Sequence, residues 1–174
     1  MSQTNELEIM ERIALDLEGV EESLASSFNT GAEDFNALIR PLSAAGGKRL
    51  RAQLCLLIAN AGTSVERQRI RIAEAVEMLH LATLIHDDVL DQAEIRRGEE
   101  TIHMHKGNKV AILSGDYLFA KAFQIVSEMP NMKYLQIFSH IITCLVEGEF
   151  MQMEDVYRID QGIERYMTKT QKKT

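Results

Sequence analysis

Proline is almost absent from this chain, with two in 174 residues, so little interrupts long helices. Cysteine is equally scarce. Cys55 and Cys144 stand alone in apolar helical surroundings, which argues against a disulfide framework or a cysteine-rich metal site and predicts two reduced core residues. No apolar run approaches about eighteen residues, so no stable membrane insertion is expected. The polar, acidic start of the chain is unlike a signal peptide. A basic excess is missing too: 19 Lys and Arg against 26 Asp and Glu leave a net charge of −7, which argues against nucleic acid as a general partner. Sustained alternation of apolar and polar residues is absent, which excludes an extended sheet. A cytoplasmic, all-α protein is the expectation.

What is present fits that reading. The composition, 45% hydrophobic and 26% charged, is ordinary for a folded domain, and the length supports one domain over residues 1–174. Leu7, Ile9, Ile13, Leu17, Val20 and Leu24 mark an amphipathic first helix. Further helices are expected over about 33–43, 49–60, 63 to the acids near 87, 109–128 and 133–156, with a last short one from about 163. Six to seven helices in a bundle follow, with 96–108 left as a polar loop.

The densest chemistry lies at His86-Asp87-Asp88-Val89-Leu90-Asp91, followed by Arg96-Arg97-Gly98. On a helix Asp87 and Asp91 fall one turn apart on one face, flanked by Asp88. Such like charges repel unless a cation sits between them. Hard oxygen ligands on a rigid face suit Mg²⁺, which completes its shell with water and substrate phosphate. The two arginines suit the phosphate, whose oxygens a guanidinium binds bidentately. The apolar turns before the acids (Met78, Leu79, Leu81, Leu84, Ile85) place them at the end of a core helix, and His80 lies two turns behind Asp87.

A second cluster is GGKRLR at positions 46–51. Its glycines permit close backbone approach, and open amides at a helix start, joined by Lys48 and Arg51, would make an anion site. The Walker A spacing is absent. Basic residues at a helix start oppose its dipole, which favours a ligand there.

Taken together, GGKRLR, the segment LHLATLIHDDVLD at 79–91, RRG at 96–98, Thr101-Ile102-His103 and Gly-Asp-Tyr-Leu at 115–118 resemble the trans-type isoprenyl (polyprenyl) diphosphate synthases, in order and spacing. Gly148-Glu149 with Gln152, and Lys172-Lys173-Thr174, match more weakly. The resemblance implies a Mg²⁺-dependent prenyltransferase that condenses isopentenyl diphosphate with an allylic diphosphate to an all-trans polyprenyl diphosphate. It assigns Asp87 and Asp91 to the metal, with Asp88 in support, and Arg96 to the allylic diphosphate. Lys48, Arg51, His80 and Arg97 would hold isopentenyl diphosphate, and Lys173 and Thr174 would contact diphosphate. The small Ala82 and Thr83 before the acids would allow a medium or long product of the heptaprenyl or hexaprenyl kind. A second aspartate-rich segment, present in the family, is missing, so the resemblance covers an N-terminal half that is expected to be inactive alone. A homodimer is implied. The alternative is a truncated or regulatory subunit that needs a partner, in a hetero-oligomer.

Other residues read as structural. His103 and His105 are expected to be solvated, His140 to be a core histidine, and Met151, Met153 and Met167 to be flexible core filler.

Overall fold

A computed structural model describes residues 3–28, 33–44, 47–62 and 65–173 of the chain. Among the described residues lie eight helices and one short two-stranded hairpin, so the all-α expectation holds with one helix and one hairpin more than periodicity gave. Contacts divide the chain into two compact units, one ending at Glu128 and the other starting at Met129.

The axis of the first unit is the 25-residue helix α4 (Glu66–Leu90). It packs against α1 (Gln3–Ser27), α3 (Leu50–Asn60), the short α5 (Ile102–Lys106) and, most extensively, α6 (Asn108–Ser127). Neighbours on several sides explain its composition. Ala73, Ala75, Met78, Leu79, Leu81, Ala82 and Ile85 are all buried, so apolar residues surround the helix instead of forming one stripe. Opposite them α6 buries Ala111, Leu118, Ala122, Ile125 and Val126. The two helices approach closely at Gly115, where a Cβ would fall 2.2 Å from His86 Nε2. By length and composition α6 could cross a membrane, yet its small-residue face is packed along α4. On α1 the buried residues Ile13, Val20 and Leu24, with Phe28 just past its end, recur at helical spacing. A further helix, α2 (Glu33–Ala44), sets the Phe35 ring edge-on against Tyr117 of α6, with centroids 4.9 Å apart.

Charged residues also enter this core, always paired. Asp16 on α1 accepts from Arg69 at 3.0 and 3.2 Å. Glu74, fully buried, accepts from Ser23 at 2.6 Å, Ser27 at 2.7 Å and Arg71 at 2.6 Å. Isolated charges there would cost several kcal/mol each, on the order of what a buried ion loses in hydration.

The expected loop after α4 is partly ordered. Strand β1 (Ile95–Arg96) pairs antiparallel with β2 (Glu99–Glu100), Ile95 opposite Glu100 and Arg96 opposite Glu99. Arg97 and Gly98 both take positive φ, 54° and 88°, as a two-residue primed turn requires. Strands of two residues are too short to carry an alternating signal, which is why periodicity missed them. Thr101 closes the base: its amide donates to the Glu94 carbonyl at 3.0 Å and its hydroxyl to Ala93 at 2.8 Å.

In the second unit α8 (Ile163–Lys173) lies on α7 (Met132–Glu154). Asn131 caps α7 by accepting the Lys133 amide at 2.9 Å. Gly148 permits the crossing, since a Cβ would come within 3.0 Å of Lys172 Cβ and 3.1 Å of the Lys173 nitrogen. Buried Asp155 pairs with Arg165 at 2.6 Å and Lys169 at 3.2 Å. Several core expectations fail. His140 is exposed on α7, its Nε2 3.6 Å from Cys144 Sγ, and both cysteines are only half-buried. Met153 and Met167 are 57% and 49% exposed. Apolar spacing marks a face of a helix but does not say what covers it.

Candidate functional site

The turn before α3 is built around an arginine that points inward. Gly46 lies outside the described residues; Arg49, which precedes the first residue of α3, has φ 46° and ψ 37°. That left-handed backbone costs an L-residue roughly 1–2 kcal/mol, so contacts must hold it. They do. The buried Arg49 donates from Nε to Glu21 at 2.6 Å and from a terminal nitrogen to the same carboxylate at 3.1 Å. Glu77 of α4 faces its other edge at 3.6 Å. The Glu21 hydrogen bond, followed by the charges of Glu21 and Glu77, outweighs burial and raises the Arg49 pKa. Glu77 also accepts the Ala52 amide at 3.0 Å. One of the first amides of α3 is therefore taken by a carboxylate, so an anion site at this helix start would draw more on its side chains than on that amide.

Those side chains gather at His80. Arg51 brings a terminal nitrogen to 3.2 Å from His80 Nε2. The guanidinium of Arg97 lies over Gly47, where a Cβ would meet both of its terminal nitrogens at 3.4 Å. Lys48 is exposed, its carbonyl accepting from Gln53 at 2.6 Å. Burial first, and then the fields of Arg51, Arg97, Arg96 and Arg49, lower the His80 pKa from 6.5 to about 4. The ring is neutral at pH 7, and because arginine can only donate, its proton sits on Nδ1. Three segments apart in sequence (47–51, His80 and 96–97) thus form one cationic patch around an uncharged imidazole.

At its C-terminal end α4 carries the acids. Asp87 and Asp91 occupy its last turn and cap, where the helix dipole is negative and no basic residue lies in the last turn. Dipole and like charges together favour a cation. Asp88 faces elsewhere: its side chain is 9% exposed and accepts from Arg96 Nε at 2.7 Å. The structure thus sets the Nε of Arg96 against Asp88, while its sequence neighbour Arg97 reaches the turn at Gly47. Among the described residues no three His, Cys, Asp or Glu side chains converge into a closed metal cage. Two carboxylates do fit Mg²⁺ that keeps its waters and shares phosphate oxygens; they do not fit a metal held by protein alone.

Behind the acids, the Thr83 hydroxyl donates back to the His80 carbonyl at 2.8 Å, so its methyl is the group it offers outward. Ala82 has no exposed surface and Thr83 is half-buried. Of the two, only Thr83 presents surface. In the second unit Lys173 donates to Gln152 at 2.9 Å and pairs with Glu149 at 2.6 Å, and Lys172 pairs with Glu147. The weak matches at 148–152 and 172–173 therefore form one cluster; Thr174 lies outside the described residues. His103 Nδ1 is 3.0 Å from the Thr101 hydroxyl, and His105 is exposed.

Sequence reading passed over Glu21, Arg49 and Glu77. A clue was present: Glu77 interrupts the apolar run around Val76, Met78 and Leu79, and a carboxylate buried there needs a partner.

Comparison with known proteins gives the family. The polyprenyl synthetase family matches residues 32–174, and the chain belongs to that family. It is 37% identical to heptaprenyl diphosphate synthase component 2 of Geobacillus stearothermophilus, over 91% of this chain and 50% of that protein. It is 33% identical to octaprenyl diphosphate synthase of Escherichia coli, over 95% of this chain and 51% of the other. A polyprenyl synthase of Caulobacter crescentus, crystallised with calcium and isoprenyl diphosphate, superposes with a TM-score of 0.88 at 34% identity, covering 94% of this chain and 51% of that one. The chain spans about half the length of these relatives.

Proposed function

We propose that this chain carries the isopentenyl-diphosphate side and the first metal-binding acids of a trans-polyprenyl diphosphate synthase. The observation that carries the reading is Arg51 on His80 and Arg97 over Gly47, close enough for both charges to act on His80, on the helix that ends in Asp87 and Asp91. Arg51, Arg97 and Lys48 would bind the diphosphate of isopentenyl diphosphate. Neutral His80 adds a donor at Nδ1 without a further positive charge. Asp87 and Asp91 would hold Mg²⁺ shared with the allylic diphosphate. When bound, the metal would neutralise charge on the departing pyrophosphate as the allylic C–O bond ionises. The isopentenyl double bond then attacks the allylic carbon, and loss of a proton restores the alkene. Arg96, with Asp88 behind it, would approach the leaving diphosphate. Lys173 and Thr174 would contact diphosphate, as their match to the family's Lys-Thr pair implies. Thr83, more than buried Ala82, would touch the growing chain. A homodimer or a hetero-oligomer in the cytoplasm would complete the enzyme; the relative named as component 2 supports the second arrangement. With two acids available for the metal, the chain alone is expected to turn over negligibly.

Calorimetry tests this directly. Isopentenyl diphosphate should bind the wild-type chain, and Arg97→Gln should weaken binding by roughly 10- to 100-fold, as loss of a charged hydrogen bond does. Mg²⁺ should bind only when an allylic diphosphate analogue is present. Equal Mg²⁺ binding without the analogue, or undiminished affinity in Arg97→Gln, would refute the assignment.

A further inference from the structure

We propose that Glu77 is a positioning residue of this site: from beneath the turn at 47–51 it keeps Arg51 and Arg97 beside His80. The proposal deepens the reading that isopentenyl diphosphate binds here, though the geometry stands without that ligand. Glu77 is 3% exposed and sits one helical turn before His80 on α4. Its carboxylate has two tasks. Oε1 accepts the Ala52 amide at 3.0 Å and so fixes where α3 begins. Oε2 faces Arg49 at 3.6 Å, holding the residue whose left-handed backbone bends the chain into the helix. Glu21 grips the same guanidinium at 2.6 and 3.1 Å, so α1 and α4 are both tied to the residue that opens α3.

The consequence falls on the neighbours. Arg51 is two residues from Arg49, and Arg97 packs on Gly47, two residues the other way. Arginines crowded near one imidazole repel one another, and the fixed backbone of the turn helps to hold Arg51 there. If the Glu77 contacts go, the strained Arg49 can relax to an ordinary conformation. Arg51 then leaves His80, and the surface beneath Arg97 shifts. Glu77 itself lies below the turn and acts through Arg49 and Ala52.

The test uses Glu77→Gln and Glu21→Gln in the 174-residue chain, with Glu74→Gln as a control. Glu74 is equally buried on the same helix but bonds Ser23, Ser27 and Arg71. The His80 ring is titrated by NMR, and isopentenyl diphosphate binding is measured by calorimetry. Removing a negative charge alone can only disfavour the imidazolium. A released turn does the opposite, because the arginines move away. In Glu77→Gln the His80 midpoint should rise from about 4 towards 6.5, and affinity should fall roughly tenfold or more. Glu21→Gln, whose carboxylate is half-exposed, should shift His80 the same way by less; it decides the matter if Glu77→Gln does not fold. A His80 midpoint that stays or falls in both variants overturns the proposal, as does an equal rise in Glu74→Gln. If the wild-type chain binds no isopentenyl diphosphate, the substrate reading fails, and the His80 titration still decides the role of Glu77.

Discussion

The two units hold their cations in opposite ways. Around His80, acids buried on α4 grip Arg49 and Arg96, while Arg51 meets the imidazole and Arg97 packs over Gly47. On α7 and α8 the lysines are themselves matched to acids: Lys172 to Glu147, Lys173 to Glu149, Lys169 to Asp155. The first arrangement maintains a positive field and depends on a rigid frame. The second cancels its own field pair by pair, and at its exposed pairs water and salt screen what remains. A site for a doubly charged substrate needs the first kind, because preorganised cations do not have to be gathered when the anion arrives.

The hardest blow to the first unit's frame should be Asp16→Ala. It removes the carboxylate with which Arg69, its side chain 9% exposed, pairs at 3.0 Å. Breaking a buried pair from one side costs about 3–5 kcal/mol, read as a lowered urea midpoint. A loss below about 1 kcal/mol would mean that water reaches Arg69 and that the frame is softer than its burial indicates.

A matched pair of glycine substitutions sharpens the contrast. At Gly115 a Cβ would lie 2.2 Å from the His86 ring, against 3.0 Å from Lys172 Cβ at Gly148. Gly115→Ala should therefore destabilise by about 2 kcal/mol and Gly148→Ala by about 1 kcal/mol or less. Thermal unfolding and proteolysis of α8 would measure the two. The reverse order would show that the α7–α8 crossing is the tighter one.

A pH dependence probes the same frame without altering its packing. His80 has a folded-state pKa of about 4 against roughly 6.5 in an unfolded chain. Between those values the unfolded state binds more protons, so stability rises with pH across that window and is lost as pH falls from 6.5 towards 4. Below about 4 the term is flat. His80→Gln should flatten this part of the stability profile, measured by denaturant titration at several pH values. An unchanged slope would place the titration on another group.

Much of the fold was legible in the residues. Long helices followed from apolar spacing with little proline, and the ends of α6 and α7 fell within two residues of expectation. The hairpin was not legible, because two-residue strands have no period. In the site, residue types and spacing named Asp87, Asp91, Arg51, His80 and Arg97 as chemistry, and the structure brings the last three together. Helical periodicity fixed that Asp87 and Asp91 share an end of α4, since that follows from 100° per residue alone. Only the tertiary structure decided that Arg49 and Arg96 turn to acids while Arg51 turns to His80 and Arg97 to the turn at Gly47. Adjacent arginines look alike in sequence. The partner of each is set by backbone turns at Arg49 and Arg97 and by carboxylates from other helices, and no local pattern encodes contacts between segments so far apart.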